Sequence, residues 1–248
     1  MVKFMDWCKK ESSNYIFHYQ KGSLAEKHID KIIELQEICN KFISNSLKVK
    51  MKEKIKYYLC STPEEVGEVY GDNEPCNGFN DGLDKIYAVY NKEVKCVGFH
   101  EDAHIISYNT ISRPKQAFLR EGLAMFYDKV WWGIPNYAWA KYFLSNGIYL
   151  HIKELLVNDN FYKHNDVITY PVAGAFVEYL ILSFGIESFK TFYSSVGEDF
   201  DSAFKTVFDY SIKHIEDKFI RYIDAIGIDE AIYDLIKVKL REKHFSYE

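Results

Sequence analysis

The sequence lacks the features that are typical of disulfide-rich, nucleic-acid-binding and multidomain proteins. Its five cysteines are odd in number and widely spaced, without a Cys-x-x-Cys pair, which argues against a disulfide framework and a cysteine-ligated structural zinc. Its net charge is only −5, so a nucleic acid is not an expected partner. No repeat, low-complexity tract or proline-rich linker divides the 248 residues, and we expect one domain over residues 1–248.

Long hydrophobic runs are also missing. The first ten residues lack the apolar segment of a signal peptide, and no uncharged run of about 18 residues occurs. These absences predict a soluble cytoplasmic protein with no membrane partner. Nothing in the pattern indicates an oligomeric state.

The chain does contain a concentrated set of metal-binding side chains, His100-Glu101-Asp102-Ala103-His104. On an α-helix, residues four apart share a face, so His100 and His104 can aim at one point with Glu101 beside it. Catalytic zinc takes three nitrogen or oxygen ligands from the protein and keeps a fourth position for water, whose pKa falls to about 7. A carboxylate beside the metal can take that water's proton.

A third ligand is available from the segment Arg120-Glu121-Gly122-Leu123-Ala124. The turn formers of residues 109–114 end the first helix before Pro114, and a second helix can begin at Lys115. Glu121 is then a charged residue within an apolar helix, and a metal is one partner for it. The alternative partner for the Glu121 carboxylate is a surface lysine or the end of a helix. The apolar residues that repeat at helical spacing are Phe118, Leu119, Leu123 and Phe126.

These two motifs together resemble the gluzincin metallopeptidases, a peptidase MA-like group that includes thermolysin and the zinc aminopeptidases. The resemblance is strongest over residues 96–128. It implies that His100, His104 and Glu121 bind Zn²⁺, that Glu101 is the general base, and that the substrate is a peptide or protein.

The resemblance also implies two supporting residues. Tyr170, at the entrance of a small-residue helix, matches the position of an oxyanion donor, a role that contributes about 2.7–4 kcal/mol. Packing alone is the alternative for Tyr170, and His164 is a rival donor. Asp128 matches an acidic position that accepts the second N–H of a ligand imidazole. An ordinary solvated acid is the alternative for Asp128.

One residue departs from the family pattern. The position after the glutamate is normally apolar, and here it is Asp102, whose charge must find solvent or a cation. This residue is the single hint of a second interpretation, a catalytically impaired zinc-binding or regulatory module. A third interpretation is a structural α+β protein in which the motifs are accidental.

The whole pattern favours an α+β, zincin-like fold. We expect a mixed-sheet lobe over residues 1–113 and a helical lobe over residues 114–248, with the metal cleft between them. The resemblance places an exposed, substrate-binding sheet edge at residues 86–91; an ordinary internal strand is the alternative. Strands are predicted at residues 14–19, 55–59 and 85–91, a loop at 71–84, and helices at 23–43, 136–145, 172–184, 187–195, 199–208, 211–226 and 229–243. Ser23 is the predicted cap of the first helix, Thr62 the predicted cap of a further short helix, and Gly185 the predicted stop of the helix at 172–184.

Overall fold

The computed structural model describes residues 7–242 and shows an α+β protein with a mixed sheet and a helical majority. Residues 1–6 and 243–248, which include the last residue of the predicted final helix, lie outside the described part. The chain divides into two compact units, residues 1–110 and residues 111–248. The α+β class expected from the sequence is therefore confirmed.

The first unit is built around a sheet with strand order β1-β2-β3-β5-β4. Strands β2, β3 and β5 run parallel, whereas β1 and β4 pair antiparallel at the two ends. Its elements are β1 (Trp7–Glu11), β2 (Tyr15–Gln20), α1 (Leu24–Leu47), β3 (Ile55–Cys60), α2 (Pro63–Tyr70), β4 (Gly78–Asp81), β5 (Lys85–Val89) and α3 (His100–Thr110).

The structure corrects the predicted position of the sheet edge. Strand β5 pairs with β3 on one side and with β4 on the other, so it is internal. The edge strand is β4 (Gly78–Asp81), which lies inside the segment predicted to be a loop. Both errors have one cause: the turn-forming composition of residues 78–81 conceals a strand that forms by pairing with its neighbour.

Two helices of the first unit begin where their capping residues predict. The Ser23 hydroxyl accepts a hydrogen bond from the Glu26 N–H at the start of α1, and Thr62 does the same for Glu65 at the start of α2. The buried side of α1 packs against β2 and α3. Alternate residues of β2 are buried because successive strand side chains point to opposite faces; they are Tyr15, Phe17 and Tyr19.

The second unit is largely helical. Helix α8 packs against α4, α5 and α9, and α10 packs against α5, α6 and α9. Its elements are α4 (Ala117–Asp128), β6 (Val130–Trp131), β7 (Ile134–Pro135), α5 (Asn136–Ser145), α6 (Ile152–Leu155), α7 (Asn158–Lys163), α8 (Asp166–Ser195), α9 (Phe200–Phe208), α10 (Ile212–Ala225) and α11 (Glu230–Glu242).

Helix α8 differs from the sequence prediction at its start. It begins at Asp166 rather than at residue 172, because Asn165 caps it by accepting a hydrogen bond from the Val167 N–H. The predicted stop at Gly185 is confirmed as a kink, where φ is +81° and ψ is 160°. By length and composition α8 could cross a membrane, but 67% of its most apolar window is buried inside the protein, as in the core helix of a soluble protein.

Candidate metal centre

The two histidines of the first motif are carried by α3. His100 is its first residue and is half-buried, whereas only 5% of His104 is exposed. Their ring centroids lie 5.0 Å apart at an interplanar angle of 84°. The predicted pairing of positions i and i+4 on one helix face is therefore present in α3.

The start of α3 is fixed by contacts to its own backbone and to α1. The Ala103 N–H donates to the carbonyl of Phe99 at 2.8 Å, closing the first turn. The amide of Gln36, a buried residue of α1, donates to the carbonyl of Gly98 at 3.1 Å. Gly98 has a φ of +141°, a conformation that L side chains rarely adopt. These contacts orient the turn that presents His100.

Glu121 is carried by α4, whose start is held by Asn158, the first residue of α7, and by Arg120 of α4 itself. Asn158 accepts a hydrogen bond from the Ala117 N–H at 2.8 Å and donates to the carbonyl of Lys115 at 2.9 Å. The guanidinium of Arg120 donates to the carbonyls of Pro114 and Lys115. Arg120 therefore anchors the loop, and the next side chain, Glu121, is half-buried on a fixed helix.

Three potential ligand atoms come together from these two helices. One atom each from His100, His104 and Glu121 lies within 4.8 Å of the other two. Two imidazole nitrogens and one carboxylate oxygen form the donor set that zinc uses in catalytic sites. The donor chemistry and the spacing therefore fit a single divalent zinc ion.

Glu101 lies against the edge strand of the sheet. A Cβ placed on Gly78, the first residue of β4, would be 3.7 Å from Oε1 of Glu101 and 2.8 Å from Sγ of Cys96. The backbone of β4 thus passes the Glu101 carboxylate with little room for a side chain. A glycine at this position permits that close approach.

The expectation for Asp102 is wrong. Its side chain is fully buried, and the Tyr15 hydroxyl, 87 positions away in sequence, donates a hydrogen bond to its Oδ2. Burial raises the pKa of the Asp102 carboxyl well above its ordinary value, and the Tyr15 hydrogen bond opposes that shift. The carboxyl is therefore held in the core by the Tyr15 hydroxyl, and neither solvent nor a cation is the partner that the structure gives it.

The supporting residues proposed from the resemblance occupy defined positions in the second unit. Tyr170 is half-buried inside the first turns of α8, not at the helix entrance, and its ring packs on Trp131 at 5.4 Å and Phe161 at 5.8 Å. His164 follows α7 as its C-terminal cap. Asp128 ends α4, two helical turns after Glu121. Their functional roles remain predictions.

Tyr108, which was not predicted as a site residue, contacts a candidate ligand. The hydroxyl of Tyr108 lies 3.2 Å from Nδ1 of His104, and the two rings are nearly parallel, with centroids 5.5 Å apart. Tyr108 follows His104 by four positions on α3. The same spacing of four residues that pairs His100 with His104 also pairs His104 with Tyr108, one turn further along α3. This spacing is the sequence signal that could have predicted the contact.

Comparisons with known proteins give structural likenesses but no sequence match. No protein-family model and no curated protein matches the sequence. Among solved structures, the chain is similar to a mutant of an M1 zinc metallopeptidase from Deinococcus radiodurans, bound to a Tyr-Ser-Ala substrate. The sequence identity is 14% and the TM-score is 0.47, over 90% of this chain and 52% of the other. This chain thus spans about half the length of that protein, and a likeness of this size does not show a shared activity.

Proposed function

We propose that this protein is a zinc-dependent peptidase. The observation that carries the proposal is the approach of His100, His104 and Glu121 to within 4.8 Å of one another, combined with a glutamate directly after the first histidine. Chance can place the letters of a motif in a sequence, but it rarely also brings a third ligand from a separate helix to the same point.

The ligand roles follow from the donor set. His100 and His104 would supply two imidazole nitrogens and Glu121 one carboxylate oxygen. Zinc bound in this way lowers the pKa of a coordinated water to about 7 and polarises a carbonyl group. The protein would contribute proton transfer and oxyanion stabilisation through side chains that are positioned before the substrate binds.

Glu101 is the general base in this proposal. Its carboxylate would accept a proton from the attacking water and deliver it to the nitrogen of the leaving amine, so that the peptide C–N bond breaks and a C–O bond forms. Tyr170, or its rival His164, would donate a hydrogen bond to the developing oxyanion. Asp128 would accept the second N–H of a ligand imidazole.

The edge strand β4 supports a peptide as the substrate class. An extended peptide can add to a sheet edge through main-chain hydrogen bonds. Strand β4 lies at one end of the sheet, and its first residue, Gly78, lies beside the Glu101 carboxylate. Such binding presents a backbone amide, rather than a particular side chain, to the general base. The chemistry proposed for Glu101 acts on that bond.

Replacement of Glu101 by Gln tests the proposal. Glutamine keeps the size of the side chain but cannot accept the proton, so hydrolysis of a mixed peptide library should fall by at least about 100-fold, the lower contribution of a general base. Zinc content should stay the same. The matched control is Glu68→Gln, which changes an exposed acid on α2 and should leave hydrolysis intact.

Two results would contradict the proposal. Wild-type protein that binds zinc but hydrolyses no peptide would favour the impaired module. Hydrolysis that persists in the Glu101→Gln variant would exclude Glu101 as the general base. Hydrolysis that persists in the presence of a chelator would exclude zinc from the reaction.

A further inference from the structure

Tyr108 contacts the candidate ligand His104 but has no role in the proposed reaction. Its hydroxyl oxygen is 3.2 Å from Nδ1 of His104, within hydrogen-bonding distance. His104 is 5% exposed, so water has little access to replace this partner. The nearly parallel rings, 27° apart, limit rotation of the imidazole.

The contact involves Nδ1, so the direction of its hydrogen bond decides which nitrogen of His104 keeps a lone pair for a metal. A neutral imidazole carries hydrogen on one nitrogen and a lone pair on the other. If the Nδ1–H group donates to the Tyr108 hydroxyl, the lone pair resides on Nε2. The partner of the second nitrogen is what fixes tautomer and ring orientation in metal-binding histidines.

We propose that Tyr108 is a positioning residue for the metal centre: its hydroxyl accepts the Nδ1–H of His104 and so directs Nε2 toward the zinc. This inference rests on the proposed zinc site. It adds a partner from the same helix as the ligand, so that α3 alone supplies two ligands, the general base and the group that orients one of the ligands.

Zinc affinity of Tyr108→Phe tests the role of the hydroxyl. Phenylalanine retains the ring packing and removes only the acceptor. We expect the dissociation constant for zinc, measured on the full chain by competition with a chromophoric chelator, to rise about 10-fold, the lower end for loss of such a partner. The matched control, Tyr70→Phe, removes the hydroxyl of an exposed tyrosine on α2 and should not change the constant.

A second measurement tests the tautomer without relying on a variant. In zinc-loaded wild-type protein labelled with ¹⁵N-histidine, the long-range proton–nitrogen spectrum should show His104 with hydrogen on Nδ1 and metal on Nε2. Metal on Nδ1 would overturn the inference, whether or not Tyr108→Phe folds. Cobalt substitution adds a third readout, since the visible absorption of the Tyr108→Phe protein should shift.

The outcomes separate this inference from the proposed function. Zinc binding that is unchanged in Tyr108→Phe but lost in His104→Ala refutes the positioning role and leaves the metal site standing. Zinc binding that is unchanged in His104→Ala refutes the site itself, and the inference with it.

Discussion

Replacing Gly122 with alanine tests how closely α4 and α8 pack beside the candidate ligand Glu121. A Cβ on Gly122 would lie 2.7 Å from Cγ2 of Val177 and 2.8 Å from the backbone oxygen of Ala173. The valine side chain can move, but the Ala173 backbone moves only if α8 moves with it. The helices would have to separate by several tenths of an ångström.

The magnitude follows from two opposing effects. An alanine in place of a helical glycine stabilises an exposed helix by about 1 kcal/mol, whereas overpacking a well-packed core costs about 1–3 kcal/mol. Because two of the three closest contacts are to the Ala173 backbone, which cannot move on its own, we expect overpacking to outweigh the helical gain, with a net loss of about 1–2 kcal/mol in the free energy of unfolding. Urea denaturation of the metal-free protein, followed by circular dichroism, measures this quantity.

The control for this experiment is Gly227→Ala, since a Cβ at Gly227 meets no heavy atom within 4 Å and its φ is not left-handed. We expect its stability to change by less than about 0.5 kcal/mol, or to increase slightly. Zinc affinity should weaken in Gly122→Ala because the neighbouring Glu121 moves with α4. A Gly122→Ala protein that is as stable as wild type would refute the close packing of α4 on α8.

Three further predictions concern buried groups of the first unit. Tyr15→Phe removes the donor to Asp102, and we expect it to cost about 1–3 kcal/mol in the free energy of unfolding; no loss in urea denaturation would contradict the hydrogen bond. Because the folded-state pKa of Asp102 is raised, the folded protein keeps a proton that the unfolded chain releases, so stability should fall by up to about 1.4 kcal/mol per pH unit above about pH 4. Asp102→Asn should remove that part of the slope, and an identical slope in the variant would refute the assignment. Burial raises the pKa of Cys60 to about 12, so mass spectrometry should find Cys60 unmodified by iodoacetamide at pH 8 in native protein and modified after denaturation; rapid native labelling would contradict its burial.

Local signals in the sequence predicted the elements that depend on local interactions. Ser23 and Thr62 mark the starts of α1 and α2 because a cap bonds within its own first turn. The same reasoning places His100 and His104 on one face of α3. Helix α5 also matches its predicted span, residues 136–145.

Features that depend on distant residues were not predictable in this way. The partner of Asp102 is a tyrosine on β2, far away in the sequence. The sequence near Asp102 therefore predicted that its carboxyl would be solvated or paired with a cation. Strands β1 and β4 carry polar or turn-forming residues because they lie at the ends of the sheet, where pairing rather than composition makes the strand. The approach of Glu121 to the two histidines came from a family resemblance, since no local rule brings two helices together.

Zinc stoichiometry of the purified full chain and its ligand variants tests the central claim most directly. We predict one zinc ion per chain in wild-type protein by elemental analysis, and loss of that zinc in His100→Ala, His104→Ala and Glu121→Ala proteins whose circular dichroism is unchanged. Wild-type protein without stoichiometric zinc after incubation with zinc and dialysis, or folded variants that keep it, would contradict the claim that these three side chains form one metal site.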